Sequence, residues 1–427
     1  MNNSLNKNLL FLIEPILIIL PISLLFSSLI SELLILIIIS IFFVSVRKDE
    51  LIKIFNNKII LFMIVLYLYL ILNYFVNISK DPSFTRSIPF IRFIFYVIAL
   101  SYFLNKDYIK SKRIFFYWTV IVFLVCLDLQ LQNITGKNIF GYEAIKQGNF
   151  TRLGGFLDDE LKISYLLNSF FVVSLGSTFT YQKINKKNKL LALLLTGLVI
   201  YSVYATAERS NFVCLLFFTI IFFIFSKLRN YLFFMVILLI PIIIINFSYI
   251  KSNSKIERMF SENTKLIKSS LSFNVDKQKN FLYKNNHYFP HYSTAWEIFK
   301  DYPTMGVGLK NFRKYCNNEI YDEKIYPQYR NTNCSTHPHN LFFEIISELG
   351  ILGVVVFFGF FGYFFYKSLR ASLKNKDLFL FGNTIFLMTY FIPFLPRGSF
   401  FTNWNAMIFW TIFAISIHLI DKKKHYA

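Results

Sequence analysis

Charged side chains are scarce in this chain. They make up 16% of its 427 residues, against 55% hydrophobic and 19% aromatic, and an aqueous globule of that length cannot hide so much hydrocarbon. A soluble fold is therefore excluded, and the chain belongs in a bilayer. Acids are scarcer still, with 24 Asp and Glu against 45 Lys and Arg and a formal charge of +21. Within the apolar runs the main acidic residues are Glu14, Glu32 and Asp128. No repeated pattern joins them, which argues against a transporter or flippase built on intramembrane titratable groups. The first apolar run lacks a small-residue cleavage site and another run follows at once, so no cleaved signal peptide is expected. There is no repeat of solenoid period. Cysteine is limited to four: Cys126 and Cys214 fall in apolar runs and read as packing residues, whereas Cys316 and Cys334 share a polar stretch.

What the chain does have is apolar runs of about 17–25 residues, the length that crosses the hydrocarbon layer as helix. Twelve are read, near residues 8–26, 28–46, 59–77, 89–104, 114–131, 162–181, 190–207, 211–226, 231–250, 341–366, 378–395 and 403–420. Pro15 and Pro21 interrupt the first, so the first two are either spans or a re-entrant pair. The expected fold is an all-α polytopic membrane protein with about 12 transmembrane helices and a largely helical periplasmic cap. Three regions follow: helices one to nine over 1–250, a large outer loop over 251–340, and helices ten to twelve with a tail over 341–427. Lys and Arg gather in alternate short loops, at 47–58, 106–113, 183–189, 227–229, 367–376 and 422–424. Basic loops resist translocation, so both termini are expected in the cytoplasm. Topology and attraction to the inner leaflet account for much of the positive charge, and no nucleic-acid partner is expected.

The reactive residue types concentrate where the polar stretch meets the tenth run, at Ser335-Thr336-His337-Pro338-His339-Asn340. An imidazole can take the proton of a sugar hydroxyl as that oxygen attacks an electrophile, and His339 is the leading base candidate, with His337 and Asn340 beside it. The alternative is a pair of interfacial histidines satisfied by water. A helix start there also favours an anionic partner. Arg209, Arg152, Arg397 and Arg92 lie at outer membrane edges, where a guanidinium is costly unless paired, and each is either a phosphate-binding fork or a local ion-pair anchor. A metal is not expected: His287 and His291 are spaced i, i+4, but Pro290 between them disfavours the helix that would align them. Cys316 and Cys334 form either a disulfide closing a loop beside the histidines or two separate thiols. From His291 to Lys300 a helix is expected, burying Ala295, Ile298 and Phe299 on one face or else lying on the membrane surface.

Three segments resemble the O-antigen ligase / O-antigen polymerase family of bacterial inner-membrane glycan-transfer proteins. They are His339-Asn340-Leu341 with Glu348-Leu349-Gly350-Ile351-Leu352-Gly353, Arg209-Ser210, and Pro303-Thr304-Met305-Gly306-Val307-Gly308 with Asn311-Phe312. The resemblance covers roughly residues 150–420. It implies a multi-pass protein of the bacterial inner membrane that moves a glycan from an undecaprenyl-pyrophosphate carrier to a glycan or lipid A core acceptor, with membrane lipid as surroundings and no cofactor. It further implies His339 as base and arginines at the pyrophosphate. The disulfide-closed cap and the Cys-x-x-His-Pro-His-Asn run lean towards a polymerase, with a ligase or protein O-oligosaccharyltransferase as alternatives. The chain departs from the family pattern twice: Glu208 stands before Arg209 in place of Ser, and His291 stands where relatives often carry Arg.

Overall fold

The computed structural model describes residues 9–77, 83–106, 109–147, 150–181, 186–226, 288–323, 333–393 and 395–422. The run at 231–250 expected to be the ninth span, His287, and most of the outer loop up to 287 lie outside those residues. Nine described helices are long and apolar enough to cross a membrane, and two shorter apolar helices accompany them. In chain order the bundle comprises α1 (Ile13–Phe26), α2 (Ser28–Ser45), α3 (Lys58–Val76), α4 (Ile91–Leu104), α5 (Ser111–Thr135), α6 (Ile163–Tyr181), α7 (Lys186–Ala205) and α8 (Arg209–Phe225). The cap helix α9 (Phe289–Asp301) and then α10 (Leu341–Asn375), α11 (Leu378–Thr389) and α12 (Asn403–Lys422) complete it. A two-stranded hairpin, β1 (Ile145–Gln147) with β2 (Phe150–Arg152), joins α5 to α6. The fold is an all-α polytopic bundle.

Apolar side chains divide between a continuous interior and an outer surface suited to lipid. Trp118, Phe171, Phe222 and Trp410 are fully buried, while Leu29, Leu68, Val355 and Leu194 on the bundle's rim are largely exposed. The protein has two distinct ends. At one, β2, the α7–α8 turn, the cap and the segment after α11 meet, as when Arg152 lies within electrostatic range of Glu208, Arg397 bonds His339, and Asn211 bonds both Arg397 and Glu208. At the other, Lys106 pairs with Glu50 at 2.7 Å, Arg113 with Glu14 at 3.4 Å, and His418 bonds Asn105.

Three boundaries differ from the sequence expectation, each for a local reason. α1 runs unbroken through Pro21, since a proline forfeits one backbone bond and the neighbouring turns stay intact. α10 continues to Asn375, well past the apolar run, because nothing stops it until Lys376 turns left-handed at φ 52°. α11 ends at Thr389 although the apolar run reaches 395, and Pro393 and Pro396 turn the following residues into an irregular segment that carries Arg397.

The cap is joined to α10 by an exchange of backbone bonds. Inside a continuous helix, Ile351 and Leu352 would donate to the carbonyls of Ser347 and Glu348. Here those two carbonyls accept from Val307 and Gly308 of the cap instead, at 3.0 and 2.8 Å. Ile351 and Leu352 donate to Pro303 and Thr304, at 2.8 and 3.3 Å. Gly350 makes the break, with φ 66° and ψ −169°, a region closed to residues with a side chain. A Cβ on Gly350 would strike the Thr304 carbonyl, and one on Gly306 would strike the Glu348 carbonyl. α3 braces the junction: the Tyr69 hydroxyl donates to the Leu349 carbonyl, and Asn73 Nδ2 donates to the Met305 carbonyl at 2.6 Å.

Candidate active site

The cap's own small core consists of Ala295, Ile298, Val307, Phe312, Cys316 and Tyr321. Tyr292 stacks on Phe343 with ring centres 5.0 Å apart, so α9 packs on α10 and is not an isolated surface helix. Cys316 and Cys334 are paired as a disulfide, with Cα atoms 5.0 Å apart. Together these contacts hold the His337–His339 turn at the head of α10.

Asn340 caps that helix. Its Oδ1 accepts from the Phe342 and Phe343 amides at 2.9 and 3.3 Å, and its Nδ2 donates to the Pro393 carbonyl at 2.6 Å. The carboxamide, grouped with the reacting residues on sequence, is thus occupied in tying α10 to the segment after α11. His339 takes a left-handed backbone at φ 57°, which is uncommon without glycine. Its Nε2 is 3.1 Å from the Ser335 hydroxyl, and its ring centre is 4.8 Å from Tyr288, 5.5 Å from His291 and 4.1 Å from His337. The position at which the family resemblance leads one to expect Arg is therefore filled by a buried His291 facing His339.

The two motif histidines have different environments. His337 Nε2 is 3.2 Å from the Arg397 carbonyl, which can only accept, so Nε2 carries the hydrogen and Nδ1 accepts from the Thr336 hydroxyl at 3.0 Å. Burial, followed by the positive charge of Lys310, pushes the His337 imidazolium down to about 3. His337 is consequently neutral near pH 7 and a weak base.

Arg397 is fastened to the same turn by its backbone: its N–H donates to the His339 carbonyl at 2.7 Å while its carbonyl receives His337. The side chain runs inward and is buried. Nη1 donates to Asn211 Oδ1 at 3.2 Å, Nη2 donates to the Thr389 carbonyl at 2.9 Å and to Cys214 Sγ, and the guanidinium lies 5.0 Å from the Tyr390 ring centre. Among the described residues no carboxylate pairs with it, and its Nε has no hydrogen-bond partner. A buried cation without a counter-charge is expensive, and an anion brought by a substrate would relieve that cost.

Arg152 and Arg209 reach the same place from two other elements. Burial pushes the Arg152 guanidinium down, Glu208 and Tyr288 act in the opposite sense, and Arg209 adds to the depression. Glu208 accepts from the Ser164 amide at 3.1 Å and from Asn211 Nδ2 at 2.6 Å. Burial raises its carboxyl above the usual range, with Arg152 pulling the other way. Arg209 starts α8, half-buried, within electrostatic range of Arg152. The structure thus brings Arg152, Arg209, Arg397, Tyr288 and His339 together. Arg92 is engaged elsewhere: its guanidinium donates to the Pro89 carbonyl and Asn403 Oδ1, pairs with Glu32 at 3.6 Å and lies over Phe93. Its expected place at a shared phosphate site is not supported by these contacts.

One network was not anticipated from the sequence. Lys310 is almost fully buried and left-handed at φ 64°. Its Nζ is 3.3 Å from Glu344 Oε1 and donates to the Ser399 hydroxyl, which in turn donates to Glu344. Glu344 Oε2 accepts from the Phe400 amide at 3.1 Å, and Glu348 Oε2 accepts from the Lys310 amide at 2.7 Å. The available signal was the i, i+4 pair of acids in the first turns of an apolar helix, which must be matched by a cation or donors when buried. No group of three His, Cys, Asp or Glu suited to a metal ion occurs among the described residues.

Comparison with known proteins adds a likeness over part of the chain. Residues 191–358 match the family model described as O-antigen ligase. That stretch is similar to the O-antigen ligase family. The matched stretch takes in Arg209, His337, His339 and Gly350, and leaves Arg152 and Arg397 outside it. The match supports membrane glycan transfer of the O-antigen ligase/polymerase type. No curated protein matches the chain. A chain from the solved structure described as "Structural coordination of polymerization and crosslinking by a peptidoglycan synthase complex" is similar at TM-score 0.46 and 14% identity, over 86% of this chain and 98% of that one.

Proposed function

We propose that this protein transfers a glycan from an undecaprenyl-pyrophosphate carrier to an acceptor hydroxyl, in the bacterial inner membrane with the cap in the periplasm and both termini in the cytoplasm. The basic short loops at the end opposite the cap support that orientation. The observation that carries the reading is the pair of bonds from the Arg397 backbone to the His339 carbonyl and the His337 ring, which fixes to the His turn an arginine whose buried guanidinium has no counter-charge among the described residues.

In this reaction the acceptor oxygen attacks the anomeric carbon of the carrier-linked sugar as the bond from that carbon to the pyrophosphate oxygen breaks. The electron pair leaves with the pyrophosphate, and Arg152, Arg209 and Arg397 offset the charge that grows there. His339 takes the hydroxyl proton, and Tyr288 and His291 pack around its ring. These groups supply the base and the anion stabilisation without requiring a metal or nucleotide.

We favour the polymerase, whose acceptor is another carrier-linked glycan, on the disulfide-closed cap beside the His motif. The ligase, whose acceptor is lipid A core, is the second reading, because the matching family model is described as O-antigen ligase. Complementation of a strain lacking the protein, with membrane levels matched, tests both. His339→Ala and Arg397→Ala are expected to abolish the surface-polysaccharide ladder on a gel, and normal ladders from both would reject the assignment. Single repeats on lipid A core identify a lost polymerase, whereas carrier-bound chains with bare core identify a lost ligase.

A further inference from the structure

The end of the bundle opposite the cap holds a cavity of about 1250 Å³, bounded by the ends of α4 and α12, the first half of α5, the second half of α6 and the first half of α7. Nothing in the proposed transfer uses it. Its walls are of two kinds. Phe116, Phe123, Leu191 and Leu194 line it while remaining substantially exposed on the bundle's rim, so the hydrocarbon-lined part opens sideways towards lipid. Around its polar part stand Lys106, Lys110, Lys112 and Arg113, and no Asp or Glu lines it.

The four cations are not equally occupied. Lys106 is paired with Glu50 and Arg113 with Glu14, both carboxylates lying outside the lining. Lys110 and Lys112 are exposed, and neither has a carboxylate partner among the described residues. They flank the start of α5, a 25-residue helix whose first turn is Ser111-Lys112-Arg113, with no acid and no side-chain cap. Cations at a helix N-terminus oppose the helix dipole, so that arrangement gains from an anion in a way a C-terminal cluster would not. Charge complementarity therefore identifies the polar part as a place for a negative group, and the lateral opening identifies what the group is attached to.

We propose that this cavity binds one anionic phospholipid from the leaflet at that end, with the phosphate between Lys110 and Lys112 and an acyl chain along Phe116, Leu191 and Leu194. The proposal is independent of the transfer chemistry at the cap end. A general attraction of basic loops to acidic lipid would need no cavity and would be indifferent to blocking it, and that difference makes the site testable.

The test uses the full chain purified in a mild detergent, with native mass spectrometry reading retained lipid. Phosphatidylglycerol and phosphatidylcholine with identical acyl chains are the probes, and undecaprenyl phosphate is the competitor. The expected result is one phosphatidylglycerol retained in preference to phosphatidylcholine. Lys110→Gln/Lys112→Gln is expected to lower that retention about tenfold or more. Leu191→Trp fills the opening without changing charge and is expected to lower retention of the same lipid. All substitutions lie on exposed positions, and unchanged thermal melting confirms that each variant is folded. Equal retention of the two phospholipids overturns the proposal, as does a lysine double variant that binds normally. Loss with the lysine variant but full retention with Leu191→Trp puts the lipid on the surface and overturns the cavity. Displacement of phosphatidylglycerol by an equimolar amount of undecaprenyl phosphate overturns the choice of occupant.

Discussion

Arg397 and Ser399 sit two residues apart on one irregular segment, yet their surroundings handle charge in opposite ways. On the Ser399 side every buried charge is answered: Lys310 meets Glu344, the Ser399 hydroxyl bridges them, and the Phe400 and Lys310 amides complete the carboxylates of Glu344 and Glu348. On the Arg397 side, a buried guanidinium has only neutral partners, namely Asn211, Thr389, Cys214 and the Tyr390 face. Among the described residues, one cation is fully matched and the other has no counter-charge. The matched network belongs to the architecture, and the proposed transfer gives the other cation a substrate's anion as its partner.

The sharpest way to break that contrast is at the His339–Arg397 clip. His339→Ala is expected to lower transfer by about 10²–10⁴-fold, the usual worth of a positioned base, with unchanged thermal melting of the purified protein. Arg397→Lys keeps the charge but loses the fork, and is expected to reduce transfer with little effect on melting. A large loss of stability in either variant would mean that this side, too, is architectural.

The matched side should respond in the other currency, stability. Glu344→Ala strands Lys310 in the interior and is expected to cost about 3–5 kcal/mol, the range for breaking a buried pair. It would be read as lost membrane yield and a lowered melting temperature. Replacing both partners, as Lys310→Met with Glu344→Leu, should recover most of that loss. Failure of the double variant to recover would show that the pair does more than hold the cap loop.

A third and smaller effect is expected at the junction. Gly350→Ala must adopt a glycine-only backbone against the Thr304 carbonyl, at a cost of about 1–3 kcal/mol. Proteolysis of the cap in membranes should accelerate if the backbone exchange is what secures it.

The last effect is nil at neutral pH and emerges only in acid, from His337. Its folded-state value of about 3 lies below the usual 6.5, so between those limits the unfolded chain binds a proton that the folded protein refuses. The stability held in this group is complete above the usual value and is lost as pH falls towards the folded value, at up to about 1.4 kcal/mol per pH unit. His337→Asn should flatten the fall in melting temperature between about pH 6.5 and 4.5. An identical fall in the variant would assign the acid sensitivity to other groups.

Much of this molecule was legible before any coordinates, and what was not has a physical reason. Hydropathy gave eleven of the twelve expected runs as described apolar helices, because span length is a property of consecutive residues. The twelfth, at 231–250, lies outside the described residues. The end of α11 was misjudged because composition alone outweighed Pro393 and Pro396. Among the arginines, Arg92 and Arg397 looked alike in sequence, each a cation at a membrane edge. Only tertiary structure shows that Glu32 engages one while no described carboxylate meets the other. The Gly350 exchange was invisible because its bonds join residues forty or more positions apart, and no local pattern announces them.

That exchange also dictates an order of assembly. Pro303–Gly308 leaves the ribosome before Ser347–Leu352 exists, so its amides and carbonyls must wait in water for partners that enter the bilayer later. The head of α10 cannot reach its final shape on insertion, because four of its backbone bonds are completed by a segment already waiting outside. Maturation of this protein therefore ends with a water-borne loop closing a helix from its flank.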